Sequence, residues 1–232
     1  MAVPPTNEAF VREVDEELRR DQLATFGKRY GRWLILALLL GLALFAGWLF
    51  WRNHQESQAG EEGEKLQAAH EALAAGRTAD AAAPLAELTR SRSPGHRALA
   101  LFAEGDVALA ANDARGAAAK FAAVAADAAI APAFRDLALV RQTAIEYDGL
   151  TPQAVVDRLS RLAVPGNAYH GSAGEMVAAA QLRLGRRAEA GKLFGAIARD
   201  ADAPATLRQR AVQMAGLLGV DAIQQNEGQP VR

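Results

Sequence analysis

Residues 33–51 read WLILALLLGLALFAGWLFW, with no charged residue and no proline. Coiled as an α-helix at 1.5 Å per residue, the stretch covers roughly 28 Å, close to the ~30 Å hydrocarbon core of a bilayer. Backbone amides in lipid must pair within their own segment, which a helix achieves, and here the apolar side chains occupy every face instead of one stripe. The pattern predicts one transmembrane helix, the alternative being a buried helix of a soluble protein. Before the span lie Lys28, Arg29, Tyr30, Arg32 and Trp33, with Arg19 and Arg20 further upstream; after it only Arg52 is close. This asymmetry predicts a cytoplasmic N-terminus and an exported remainder, with Trp48 and Trp51 at the far interface. Ser57-Gln58-Ala59 could be a signal-peptide cleavage site, but the apolar core exceeds the ~7–15 residues usual for such peptides and starts late, which favours an uncleaved anchor.

Residues 1–32 carry six acids and six bases, and the whole chain has a net charge of -1. That balance leaves no electrostatic footprint for nucleic acid. Without cysteine the chain has no disulfide, thiolate metal site or cysteine nucleophile. From Glu8 to Phe26 the spacing of Phe10, Val14 and Leu18 predicts an amphipathic helix, supported by Asp15/Arg19 and Glu16/Arg20 at (i, i+4). Its narrow stripe suits either a cytoplasmic contact or a solvated helix. Glu13, Asp15, Glu16 and Glu17 argue against simple attraction to anionic lipid. Residues 52–62, with Gly60, and then Gly63 predict a linker in which the helix loosens after leaving the membrane.

Residues 63–219 contain a repeating signal. A small residue is followed four positions later by a large apolar one at Ala81/Leu85, Ala117/Phe121, Val155/Leu159 and Ala190/Phe194, so the large members lie 36, 38 and 35 positions apart. Gly76, Asn112 and Gly185 precede three of these pairs, and Gly149 lies near the corresponding point of the other. Such a period predicts a helical solenoid, because one helix hairpin cannot bury its own apolar face and must stack on neighbours. A non-repetitive alanine-rich bundle is the alternative. Residues 204–218, opened by Pro204 and stopped at Gly219, predict a capping helix with Leu207, Ala211, Met214 and Leu218 on its apolar face. Residues 220–232 are predicted to be a disordered tail.

The chemistry of enzymes finds no foothold. His54, His70, His96 and His170 are far apart in sequence with no ligand-spaced partner, and no nucleophile elbow, phosphate loop or dinucleotide fingerprint occurs. His170, in the loop-like GNAYHGSAG, is read as a polar residue between repeats. The expectation is a non-enzyme without cofactor, metal or small-molecule substrate, working through protein partners and, at residues 33–51, lipid.

The repeat resembles the tetratricopeptide repeat, most closely in LFAEGDVALAANDARGAAAKFAAV (101–124), where Gly105 marks close helix packing, Ala108 allows approach, and Ala117 and Phe121 plug the second helix. The resemblance implies an all-α fold: one N-terminal transmembrane helix followed by an α-solenoid of about four degenerate hairpins and a capping helix. It implies a groove lined by the first helix of each hairpin, here Leu66, His70, Leu73, Leu99, Phe102, Asp106, Leu109, Val140, Tyr147, Glu175, Leu182 and Arg183. The Lys and Asn with which relatives clamp a peptide carboxylate are absent from that set, and the set is mostly apolar. The stub FVREVDEELRRDQLATFGKRYG, the tryptophan-bounded span and the repeats together resemble the ancillary subunit of the bacterial Sec translocon. That likeness implies an inner-membrane protein with a periplasmic repeat domain, and translocon subunits, periplasmic chaperones or exported polypeptides as partners. A membrane-anchored scaffold of an envelope or cell-division complex is the alternative.

Overall fold

The structure, a computed structural model, describes the backbone of residues 6–221 and the side chains of residue 33, residues 35–54 and residues 57–221. The side chains of the basic collar Lys28, Arg29 and Arg32, the pairs proposed at Asp15/Arg19 and Glu16/Arg20, and the tail from residue 222 lie outside the described residues. Every described element is helical. The helices are α1 (Thr6–Ala74), α2 (Thr78–Leu88), α3 (Pro94–Ala110), α4 (Ala114–Ala126), α5 (Pro132–Glu146), α6 (Pro152–Leu159), α7 (His170–Arg183), α8 (Arg187–Arg199) and α9 (Ala205–Leu217).

The chain divides into two units, residues 1–60 and residues 61–232. The described part of the first belongs to α1. From Ile35 this helix is long and apolar enough to cross a membrane, and its large side chains are uncovered, with Trp33 61%, Leu44 68% and Phe50 77% exposed. No break occurs at Gly60 or Gly63, so the linker expected at 52–62 is instead continuous helix. Two helical glycines cost only about 1 kcal/mol each relative to alanine, and the surrounding Glu, Gln, Lys and Ala are strong helix formers. Packing adds to this, because Leu66, Ala69 and Ala72 of α1 are buried against α2 and α3.

The second unit is a stack of hairpins. All four small/large pairs are buried: Ala81 0% and Leu85 2%, Ala117 0% and Phe121 0%, Val155 0% and Leu159 0%, Ala190 0% and Phe194 3% exposed. Four apolar cores follow one another, and each joins a hairpin to the first helix of the next: α1–α3, α3–α5, α5–α7 and α7–α9. No hairpin closes its core alone, as stacking requires. A Cβ built on Gly105 would lie 2.7 Å from the Phe121 ring, so only glycine lets α3 and α4 approach this closely.

Hairpin turns follow from local chemistry. At Gly76, Asn112 and Gly185 the backbone turns left-handed, with φ of 73°, 61° and 76°. In each, the following N–H reaches back to the carbonyl five residues earlier: Arg77 to Ala72, Asp113 to Ala108 and Arg186 to Gln181. This double-bonded helix ending satisfies carbonyls that would otherwise be orphaned. Gly219, with φ 77°, ends α9 the same way through Val220 and Ala215. Between α5 and α6 the device is missing: a 3-10 turn at Tyr147–Gly149 leads to Thr151, whose hydroxyl accepts from the Ala154 N–H at 3.2 Å. Val220, expected in the tail, packs on α8 so tightly that a Cβ on Gly191 would come within 2.9 Å of it.

Candidate protein-binding face

The first helices of the hairpins (the end of α1, then α3, α5 and α7) carry the expected groove. Counting back from the small residue of each pair aligns them. Fifteen positions before it stand Leu66, Phe102, Val140 and Glu175; eleven before it, His70, Asp106, Ala144 and Ala179; eight before it, Leu73, Leu109, Tyr147 and Leu182. The structure separates these rows. Leu66, Phe102 and Val140 are 9%, 8% and 7% exposed and belong to the apolar cores, so they do not line an open surface. The Phe102 ring lies 5.6 Å from that of Phe121 and 6.4 Å from that of Phe134. One position along a helix is a 100° rotation, enough to move a side chain from a groove to a joint between repeats.

What remains accessible is a narrower ribbon. Leu73, Leu109, Tyr147 and Leu182 are half-buried, three on first helices and Tyr147 in the 3-10 turn just after α5, while His70, Leu99, Asp106 and Arg183 are exposed. A cavity of about 400 Å³ opens beside the first ribbon residue, lined by Leu73, Thr78, Asp106, Val107, Ala110 and Ala111.

Polar links join consecutive first helices at the repeat spacing. Arg141 of α5 donates both guanidinium nitrogens to the Asp106 carboxylate of α3, and its guanidinium carbon lies 4.3 Å from the Phe121 ring centre. Arg183 of α7 sits 5.9 Å from the Tyr147 ring centre, and the Tyr147 hydroxyl donates to the Met176 carbonyl at 3.4 Å. Arg210 of α9 donates to both Glu175 oxygens at 2.8 Å. Glu175, expected in the groove, therefore faces the capping helix.

A second set of links closes the hairpins at their opposite end. Asp127, just after α4, accepts from two nitrogens of Arg97 at 2.8 and 2.6 Å and from the Ala129 N–H. Asp200, just after α8, is 2.6 Å from the His170 Nδ1 and accepts from the Asp202 N–H. Ser91, after α2, donates to Glu62 at 2.6 Å and accepts from the Ser93 N–H, while the His96 Nδ1 lies 2.9 Å from the same Glu62 oxygen. The hydrogen bond from Arg97 holds the Asp127 carboxyl below the ordinary aspartate range, and that from His170 does the same for Asp200. At Glu62 burial pushes upward, but the hydrogen bonds of Ser91 and His96 outweigh it. His170 is thus not a loop residue: it opens α7, is 1% exposed, and its Nε2 has no partner among the described residues.

None of these partners was assigned from the sequence. A signal exists in hindsight, since Asp127-Ala128 and Asp200-Ala201 are each followed by an Ala-Pro at the next helix start. Among the described residues no three His, Cys, Asp or Glu side chains converge as metal ligands would.

Comparison with curated proteins and with solved structures returned no match. Residues 25–216 match the model of the tetratricopeptide repeat-like domain. The match spans most of the chain, taking in the apolar part of α1 as well as the stacked hairpins, and the chain belongs to the tetratricopeptide repeat-like domain family.

Proposed function

We propose that this protein is a membrane-anchored protein-binding module, with its N-terminus in the cytoplasm and its repeats outside, ancillary to the Sec translocon. The observation that carries the binding role is the ribbon Leu73, Leu109, Tyr147 and Leu182, which repeats one partly accessible large side chain per hairpin on a fold whose general use is to hold proteins. The membrane reading draws on the uncovered apolar length of α1 from Ile35, and the orientation on the Lys/Arg excess before the span. The translocon assignment draws on the likeness of the FVREVDEELRRDQLATFGKRYG stub. Partners would be translocon subunits, periplasmic chaperones or emerging exported chains, held at the ribbon.

A photo-crosslinking amino acid at Leu109 or Tyr147, in cells making the full chain, tests this. Capture of translocon subunits or nascent secretory chains is expected; capture confined to division or wall-synthesis proteins would replace the translocon role with that of an envelope scaffold. A reporter active only outside the cytoplasm should work when fused after Arg232 and fail within the first 30 residues. The reverse pattern would overturn the orientation.

A further inference from the structure

Most cations elsewhere in the solenoid meet a carboxylate, as Arg97, Lys120, Arg141, Arg158 and Arg210 do, with Arg90, Arg92 and Arg115 scattered exceptions. The α7–α8 hairpin departs from this. Arg183, Arg186, Arg187, Lys192 and Arg199 are all exposed, and none forms an ion pair with a described carboxylate. Arg186 reaches only the neutral amides of Gln153 and Gln181, at 3.2 and 3.3 Å. Between Arg183 and Arg199 the one acid is Glu189, so five bases less one acid leave +4 on residues 183–199 in a chain of net charge -1. Arg186 and Arg187 also stand at the start of α8, where the helix dipole favours acids. Fold stability does not account for them.

One of these cations adjoins the ribbon, and Arg186 and Arg187 follow it in the turn to α8. Arg183 follows Leu182 and stacks near the Tyr147 ring, while Lys192 and Arg199, seven residues apart, share one face of α8. We infer that the α7–α8 hairpin docks an acidic polypeptide segment carrying an aromatic or aliphatic side chain among its carboxylates, an inference that rests on the ribbon being a protein-binding face. The apolar side chain packs on Tyr147 and Leu182, and the carboxylates pair with the arginine forks, whose planar geometry suits bidentate carboxylate binding. Continuity with an apolar ribbon on a protein-binding fold favours a polypeptide over a lipid headgroup layer.

The test uses the full chain in neutral detergent micelles and two labelled dodecapeptides, four repeats of Glu-Glu-Phe and four of Gln-Gln-Phe. At 50 mM salt the acidic peptide should bind at least tenfold more tightly than the neutral one, and by 300 mM salt that preference should fall severalfold, because screening weakens exposed pairs. Arg187→Glu with Lys192→Glu should remove the preference without moving the thermal melt; Arg115→Glu, an exposed cation on α4, should change it less than twofold. Tyr147→Ala should weaken both peptides. If the peptides bind alike and the charge reversal is silent while Tyr147→Ala still weakens them, this inference falls and the ribbon stands. If Tyr147→Ala is also silent, both fall. If phosphatidylglycerol added to the micelles stabilises the chain through Arg187 and Lys192 while the acidic peptide does not bind, the surface is a lipid site and the inference is overturned.

Discussion

The second and third hairpins solve one packing problem with different means. In α3–α4 a glycine faces a phenylalanine, Asn112 turns left-handed, and Asp127 ties the far end back to Arg97. In α5–α6 the residue equivalent to Gly105 is Thr143, fully buried with its hydroxyl donating to the Leu139 carbonyl at 2.7 Å, and the second helix spans only Pro152–Leu159. A 3-10 turn replaces the left-handed residue, and the links are Glu146 with Arg158 and Asp136 with Arg161. The repeat therefore needs a small residue plus a large one between its helices, and tolerates different turns and polar closures around them.

The largest expected effect tests that common requirement. Phe121→Ala should destabilise the solenoid by about 3–5 kcal/mol and Leu159→Ala by about 2–5 kcal/mol, since each leaves a cavity in a fully buried site. Calorimetric melts of the full chain showing little change in either would mean that these side chains do not carry their cores. Turn chemistry comes next. Asn112→Ala should cost about 1–2 kcal/mol because alanine resists a positive φ, whereas Asn112→Gly should be close to neutral. Equal melts for the two would dissolve the distinction between the hairpins. At the small end, Gly149→Ala should be neutral or stabilise by about 0.4–1 kcal/mol, since nothing lies within 4 Å of the added Cβ and the backbone is not left-handed there.

Acid provides a further contrast. Asp127 and Asp200 are held below the ordinary aspartate value of 3.8. A carboxyl whose folded pKa is depressed contributes stability that is fully present above its unfolded value and disappears as pH falls through the folded one. Glu62, lowered likewise by Ser91 and His96, does the same for the first hairpin, so the first, second and fourth hairpins should weaken below about pH 4, and Asp127→Asn should flatten that dependence in the second. Hydrogen exchange resolved by hairpin, followed from pH 6 down to pH 3, would reveal it; equal loss in the third hairpin would remove the special role of these closures.

Features set by neighbours in sequence were legible in advance: the apolar span, the four small/large pairs, and the turns at Gly76, Asn112 and Gly185. What sequence could not resolve depended on partners about thirty residues away. His170 resembled a loop residue because Asp200 supplies its hydrogen bond from the next turn. Leu66, Phe102 and Val140 resembled groove residues because the same apolar character suits an open face and a joint between repeats. The helix through Gly60 and Gly63 was hidden because weak local signals yield to burial of Leu66, Ala69 and Ala72.

Because each core borrows its last wall from the following hairpin, the solenoid has a direction in time as well as in sequence. A chain halted during synthesis anywhere before α9 ends on a raw apolar face: Phe121 and Val124 wait for α5, and Phe194 and Ile197 wait for α9. Growth thus resembles laying courses of brick, with the wet surface always at the newest course. The α9 helix, which brings no hairpin partner, closes the last described core together with Val220. An internal hairpin could be deleted or duplicated as a whole period with its neighbours resealing the stack, whereas losing the final helix would leave every molecule permanently unfinished.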